Sequence, residues 1–338
     1  MTPRLPTPSP AARLILLACA TLVAGGCALA PAPSATAAGA APTAGVGGPP
    51  GSAAPAGARA AMPSAGATAL AAEPQALADA MRGVPVVLLG EVHDNAAQHA
   101  LRADALARLV AGGARPALAF EQLDRERQAD VDRARRERPR DVDWLIAQAA
   151  GRDGWDWALY RPFLRLALDN DLPIVAANLS RADASRVIRE GYGAAFDAPA
   201  RATLGLDAVP ADLLAAHERE VDVGHCGLMP QAMLAPMARA QLARDAALAA
   251  AIAPHAARGV VLLTGNGHAR RDLGVPRWLP AEMRGRALSI GLLEPATIAS
   301  MPPGAFDRVV TTVAAPRSDP CESLKARMAP GGARPQPR

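Results

Sequence analysis

The chain has 338 residues, 20% of them charged and 3% aromatic, with a formal net charge of +4. So small an excess, with no arginine cluster beside stacking aromatics, excludes a nucleic-acid footprint. Lys325 is the only lysine; arginine beside abundant alanine reads as compositional bias, and the length suits one large domain or two.

In chain order, Arg4 and Arg13 precede the apolar run Leu14–Val23. That is a secretory signal peptide, too short and too poorly flanked for a stable membrane span. The run leads into Val23-Ala24-Gly25-Gly26-Cys27. Small residues before a cysteine fit a bacterial lipoprotein cleavage site over residues 1–27, with Cys27 lipidated; ordinary cleavage after Ala30 is the alternative. Ala28 is not the aspartate that favours inner-membrane retention, so the expectation is an outer-membrane anchor facing the periplasm. Residues 28–72 are Ala, Pro, Gly and Ser and cannot bury a core, so they are expected to form a disordered tether. Residues 329–338 read the same way. One folded domain is expected over residues 73–328, ample for a core.

Within it, apolar runs alternate with helical periods. A strand over Val86–Leu89 precedes a helix over Asn95–Val110, with Leu101, Ala105, Leu106 and Leu109 on one face and Asp94 as its cap. A strand over Ala117–Glu121 follows, then two polar helices over Asp124–Arg136 and Asp141–Ala149. The basic run Arg133–Arg140 is expected to be a solvated helix end. Trp155–Leu168 is amphipathic, with Pro162 near its start. A strand over Ile174–Asn178 leads to a helix over Arg181–Glu190. Phe196–Asp222 shows no clear period. A long Ala-rich helix spans Gln231–Ile252, strands follow over Val260–Thr264 and Ala287–Leu293, and Val309–Val313 makes an edge strand. This alternation predicts an α/β fold: a mostly parallel central sheet with helices on both faces and additional helical insertions.

The chemistry-bearing residues gather at strand ends. Val86–His93 runs four apolar residues into Gly90, then presents Glu91 and His93. Val260–His268 breaks at Gly265 and Gly267 and delivers His268. Two further strands end on Glu121 and Asn178. Ligands of open α/β sheets bind beyond the carboxyl ends of the strands, so these groups share a pocket if the strands are neighbours. Glu91, His93, Glu121 and His268 suit a divalent metal such as Zn, Mn or Fe, and such a site supports hydrolysis. His99 and Asn266 stand close enough in sequence to be ligands or supports. Arg244 and Asp245 sit within the long helix, where the arginine either holds a carboxylate in the pocket or makes a surface ion pair with its neighbour.

A cofactor reading competes with the metal. Trp155, Trp157, Tyr160 and Phe163 cluster in an aromatic-poor chain, and Met229, Met233 and Met237 recur at helical spacing. Such surface suits non-covalent haem, although core packing explains the same stripes. Tyr160, His225 and Met229 are the candidate haem contacts. Cys226 and Cys321 are the cysteines outside the leader. An exported setting makes them a disulfide candidate, while Cys226 beside His225 could instead bind metal or haem.

Gly90-Glu91-Val92-His93 with His99, Phe120-Glu121, Ala177-Asn178-Leu179-Ser180-Arg181, His225-Cys226-Gly227, Arg244-Asp245 and Gly265-Asn266-Gly267-His268 together resemble the ChaN family of haem-binding lipoproteins. That family belongs to a wider group with the Tiki metalloproteases, the TraB proteins and the erythromycin esterases. The resemblance spans Val84–Leu293 and extends to Asp319-Pro320-Cys321. It implies an α/β fold, a lipid anchor and a part in haem and iron acquisition, with haem held between two protomers through a tyrosine and a histidine. Tyr160 and Tyr192 are the tyrosines available for that role. For the Tiki-like relatives it implies a metal-dependent hydrolase, with Gly90, His93, Gly265 and His268 matching the two Gly-x-x-His motifs and Glu91 and Glu121 the acidic positions.

Overall fold

The computed structural model describes residues 66–151 and 154–328. Seven strands form one sheet: β1 Thr68–Leu70, β2 Val86–Leu89, β3 Ala117–Asp124, β4 Ile174–Asn178, β5 Val260–Leu263, β6 Ala287–Leu293 and β7 Arg308–Thr311. Their order is β1-β7-β6-β2-β5-β3-β4, and every pairing is parallel. This is the expected α/β architecture.

The two Val-Val-Leu-Leu runs are why β2 and β5 lie at the centre. They pair residue for residue, Val86 with Val260 through Leu89 with Leu263. All eight are buried, as strands covered on both faces must be. Alternate residues then serve opposite layers. Val87, Leu89, Leu118, Phe120, Val261 and Leu263 face one core, with residues from helices 74–81, 96–111 and 157–169. Val86, Leu88, Ala117, Ala119, Val260 and Leu262 face the other, with Leu248, Ala249 and Ile252 of helix 231–252.

The structure corrects the reading at several points. Thr68–Leu70, assigned to the disordered tether, pairs with Arg308–Val310 as an outer strand. β7 is therefore not at the edge, because β1 covers it. A helix over Pro74–Met81 was not foreseen; it buries Leu77, Ala78 and Met81. The cap of helix Ala96–Ala111 is Asn95, whose side chain accepts the Gln98 amide, and not Asp94. The unclear stretch Phe196–Asp222 contains helices Ala198–Leu204 and Ala211–Gly224. Cys226 and Cys321 form a disulfide across 95 residues, so Cys226 is not a metal or haem ligand. Loop-closure entropy makes such a bridge worth on the order of 4 kcal/mol. The signal peptide, Cys27 and most of the tether lie outside the described residues.

Candidate functional site

The strand order places the carboxyl ends of β2, β5 and β3 side by side. Their loops make a cleft. After β2, Gly90 passes tight against the β5 loop: a Cβ there would stand 2.3 Å from Asn266 Oδ1. After β5, Gly265 lies under the His93 ring, where a Cβ would come within 2.8 Å of Nε2. Glycine is required at both places for close approach, not for backbone shape.

Glu91 turns down into the protein and not out into the cleft. It is buried, forms an ion pair with the fully buried Arg102, and accepts a hydrogen bond from the Tyr160 hydroxyl at 2.5 Å. His93 Nδ1–H donates to the same carboxylate at 2.8 Å. That leaves His93 Nε2 facing Glu121 Oε1 at 3.9 Å. His268 enters from the β5 side. Its Nδ1–H donates to Asp245 at 2.6 Å, and its Nε2 faces the same Glu121 oxygen at 3.6 Å. The second Glu121 oxygen accepts from the Thr264 hydroxyl and the Gly265 amide, both at 2.7 Å. Carboxylate and imidazole thus alternate across the site, with Glu91 and Asp245 as its buried ends: Glu91, His93, Glu121, His268, Asp245. The edge of Trp155 stands against His93, ring centroids 4.9 Å apart.

Charge balance follows from the partners. Burial alone would raise Glu121, but His268, His93 and the Thr264 and Gly265 donors overcome it and hold the carboxyl at about 2. Burial opposes protonation of His268, yet Asp245 and Glu121 raise it above the ordinary histidine range. His99 is buried against Tyr160, its Nε2–H donating to the His93 carbonyl at 3.0 Å. Burial pulls it down to about 4, so it is neutral near pH 7.

The structure therefore brings Glu91, His93, Glu121 and His268 together, with His99 and Asp245 behind them. Other candidates serve different ends. Asn266 is spent on β6, donating to the Leu292 carbonyl at 2.7 Å. Arg244 donates to Asn178 Oδ1 and to the Leu179 carbonyl, both at 3.2 Å, and so braces the end of β4. Tyr160 is buried in the cleft floor. His225 and Met229 lie at the turn between helices 211–224 and 231–252. From the start of that second helix to Asp245 is about 20 Å along the axis. Among the described residues, no group of three or more His, Cys, Asp and Glu side chains is arranged to hold a metal ion.

Arg102 was overlooked, although the sequence carries its signal. It falls three and seven residues before Ala105 and Leu109, on the apolar face of its helix. A cation on that face needs a buried anion, and Glu91 is that anion.

Residues 77–279, more than half of the chain, match the family described as haem-binding uptake, Tiki superfamily, ChaN. A solved structure of cofacial haem binding to ChaN of Campylobacter jejuni is 18% identical, with a TM-score of 0.55, covering 69% of this chain and 89% of that one. At that identity the likeness concerns the fold. A succinoglycan biosynthesis protein is 12% identical over 66% of this chain and 71% of its own, TM-score 0.33. A protein from Bacillus cereus is 14% identical over 68% and 73%, TM-score 0.31. None of the curated proteins matches.

Proposed function

The chain belongs to the haem-binding uptake family of the Tiki superfamily, ChaN, and from that premise we propose that it binds haem through Tyr192. Haem binding needs a flat apolar shelf and a donor for iron. Tyr192 stands between helices 181–190 and 198–204. It packs partly buried beside Ile188 and Trp278 on one cluster and Val209 and Leu214 on another, apolar surface suited to such a shelf. The observation that carries the reading is the Tyr192 hydroxyl, which meets no hydrogen-bond partner among the described residues. Burial holds the phenol up at about 12 while Arg239 acts to lower it. Arg239 has no ion-pair partner among the described residues, so it suits a propionate. When bound, haem would supply a ferric iron that accepts an anionic oxygen.

The alternatives fit less well. The Tyr160 hydroxyl is given to Glu91, and its ring is buried. His225 donates Nδ1–H to the Val221 carbonyl at 2.7 Å, and its remaining nitrogen, Nε2, is buried out of reach of an incoming haem. Met229 packs near Leu214 and Met233 and belongs to the shelf's edge.

Titration with haem, followed at the Soret band, tests this. Tyr192→Phe is expected to weaken binding tenfold or more, about 1.4 kcal/mol, and to remove the phenolate-to-iron charge-transfer band. Tyr160→Phe is expected to keep both. An unchanged Tyr192→Phe spectrum overturns the assignment.

Anchoring at Cys27 on the periplasmic side of the outer membrane, haem held between two protomers and a role in iron acquisition extend the proposal. Cys27→Ala should move the protein to the soluble fraction; if it still sediments with washed membranes, the anchor is elsewhere.

A second reading rests on His268. With Asp245 on one nitrogen and Glu121 facing the other, it is set for acid–base hydrolysis of an ester or peptide. His268→Ala should then abolish turnover of such substrates and leave haem binding intact. Equal turnover by variant and parent would dismiss it.

A further inference from the structure

We infer that residues 312–321 form a strap, locked by the Cys226–Cys321 disulfide and released by thiol exchange, that restrains the loop carrying His93. The strap leaves the sheet after β7 and crosses the carboxyl ends of β6 and β2. Thr312 donates its amide to the Leu293 carbonyl at 2.9 Å, and its hydroxyl accepts Gln98 Nε2 at 2.8 Å. Gln98 Oε1 in turn accepts the Val92 amide at 2.6 Å. Val92 lies between Glu91 and His93, so the strap reaches the cleft through a single side chain.

Further contacts grip the same loop directly, or through Glu294 after β6, which accepts from Asn95 at 2.8 Å. Asn95 donates to the Val313 carbonyl at 2.8 Å. Ala315 donates its amide to Glu294 at 3.0 Å. Arg317 clamps Asp94 at 2.9 and 2.7 Å and Glu294 at 2.7 Å. Four residues beyond Arg317, Cys321 is bonded to Cys226, at the turn between helices 211–224 and 231–252.

The disulfide is the strap's one covalent tie at that end. Without it, the outer grip falls to Arg317, which holds the exposed Asp94 (side chain 58% exposed) and the buried Glu294, and of these the exposed pair is the weaker hold. Both cysteines are partly exposed, so an attacking thiolate can reach them. A dithiol reductant completes the exchange. One thiolate attacks a bridge sulfur and breaks the S–S bond, and the second displaces the mixed disulfide. The reductant leaves as its own disulfide, having given two electrons and two protons, and Cys226 and Cys321 become thiols. Every contact from Thr312 to Arg317 is then held only by its own hydrogen bonds.

Hydrogen exchange on the full exported chain, oxidised and then treated with dithiothreitol, tests the strap without any ligand. On reduction, amides of residues 312–317 and of Val92, Gln98 and His99 should exchange roughly tenfold faster, while β2 and β5 stay protected. Acylation of His93 by diethyl pyrocarbonate should accelerate severalfold, and reoxidation should reverse both changes. Cys321→Ser should behave as the reduced protein whether or not reductant is present. If the amides of Val92, Gln98 and His99 exchange at the oxidised rate after reduction, the strap does not act on the cleft. If β2 and β5 lose protection with them, the bridge is a staple of the whole fold. Either result overturns the inference. Both readouts are independent of haem, so they stand or fall apart from the Tyr192 assignment.

Discussion

Replacing Arg102 with methionine is expected to cost about 3–5 kcal/mol of folding stability, the range for stripping one partner from a buried ion pair. Arg102 is fully buried. Burial lowers it to about 10, so it is still a cation at neutral pH. It pairs with Glu91, donates to the Leu89 carbonyl at 3.1 Å and lies over the Phe163 ring at 5.3 Å. Methionine fills much of the volume but leaves the Glu91 carboxylate buried and hydrogen-bonded only by Tyr160 and His93. A typical domain has about 5–15 kcal/mol to lose, so the variant should fold with a much lower denaturation midpoint. The pair can be separated from the site by adding Glu91→Gln. The double variant should be more stable than the sum of the single losses predicts, because no uncompensated charge remains. It should not match the parent, since the Leu89 carbonyl loses the Arg102 donor and keeps only the Thr264 amide at 3.3 Å. Strict additivity of the two substitutions in urea unfolding would mean that the pair carries no coupling.

That pair also marks where the sequence stops being legible. β2, β4 and β5 were readable because each is a short apolar run buried on both faces, and glycine at the strand ends announced the bends. β1 was not, because Thr68 and Ala69 are exposed and only their backbone pairing with β7 holds them in the sheet. Pattern reading sees side chains, and β1 has almost none to show. The carboxylates were found, but not their directions. Glu91 follows an apolar strand and Glu121 sits inside β3 just after its apolar run, yet Glu91 points down to Arg102 and Glu121 lies between the two cleft histidines. Only the third dimension, which brings helix 96–111 beneath β2, decides between them. Arg244 was open between a pocket cation and a surface pair with Asp245. The two side chains instead take different partners, Asn178 for the arginine and His268 for the aspartate, from a helix buried nearly all round. Neighbours in sequence on a helix do not face each other, so their adjacency held no information about pairing.

Acidification should destabilise the domain in two separate windows. The first belongs chiefly to His99, with buried His217 shifted in the same direction. The folded value of His99 is about 4 against 6.5 when exposed, because burial penalises the imidazolium more than the His93 carbonyl rewards it. Between those values the unfolded chain binds more protons than the folded one, so stability falls as pH drops from 6.5 to 4. The full loss is about 3 kcal/mol at ~1.4 kcal/mol per unit. The second window belongs chiefly to the buried Glu121, held at about 2 against 4.5, with Glu294 shifted the same way by Arg317 despite its burial. The Glu121 contribution is complete above the unfolded value and disappears as pH falls from 4.5 toward 2, again by about 3 kcal/mol. His268 has the opposite sign. It is raised, so its contribution is present below 6.5 and fades as pH climbs through its folded value. The domain should therefore be most stable near neutrality, with the steeper fall on the acid side. Urea midpoints at pH 7, 5 and 3 measure this. His99→Gln retains a donor for the His93 carbonyl and removes the titration, so it should flatten the change between pH 7 and 5 and leave the fall from 5 to 3. A variant that tracks the parent through the upper window would show that His99 is not the group being protonated.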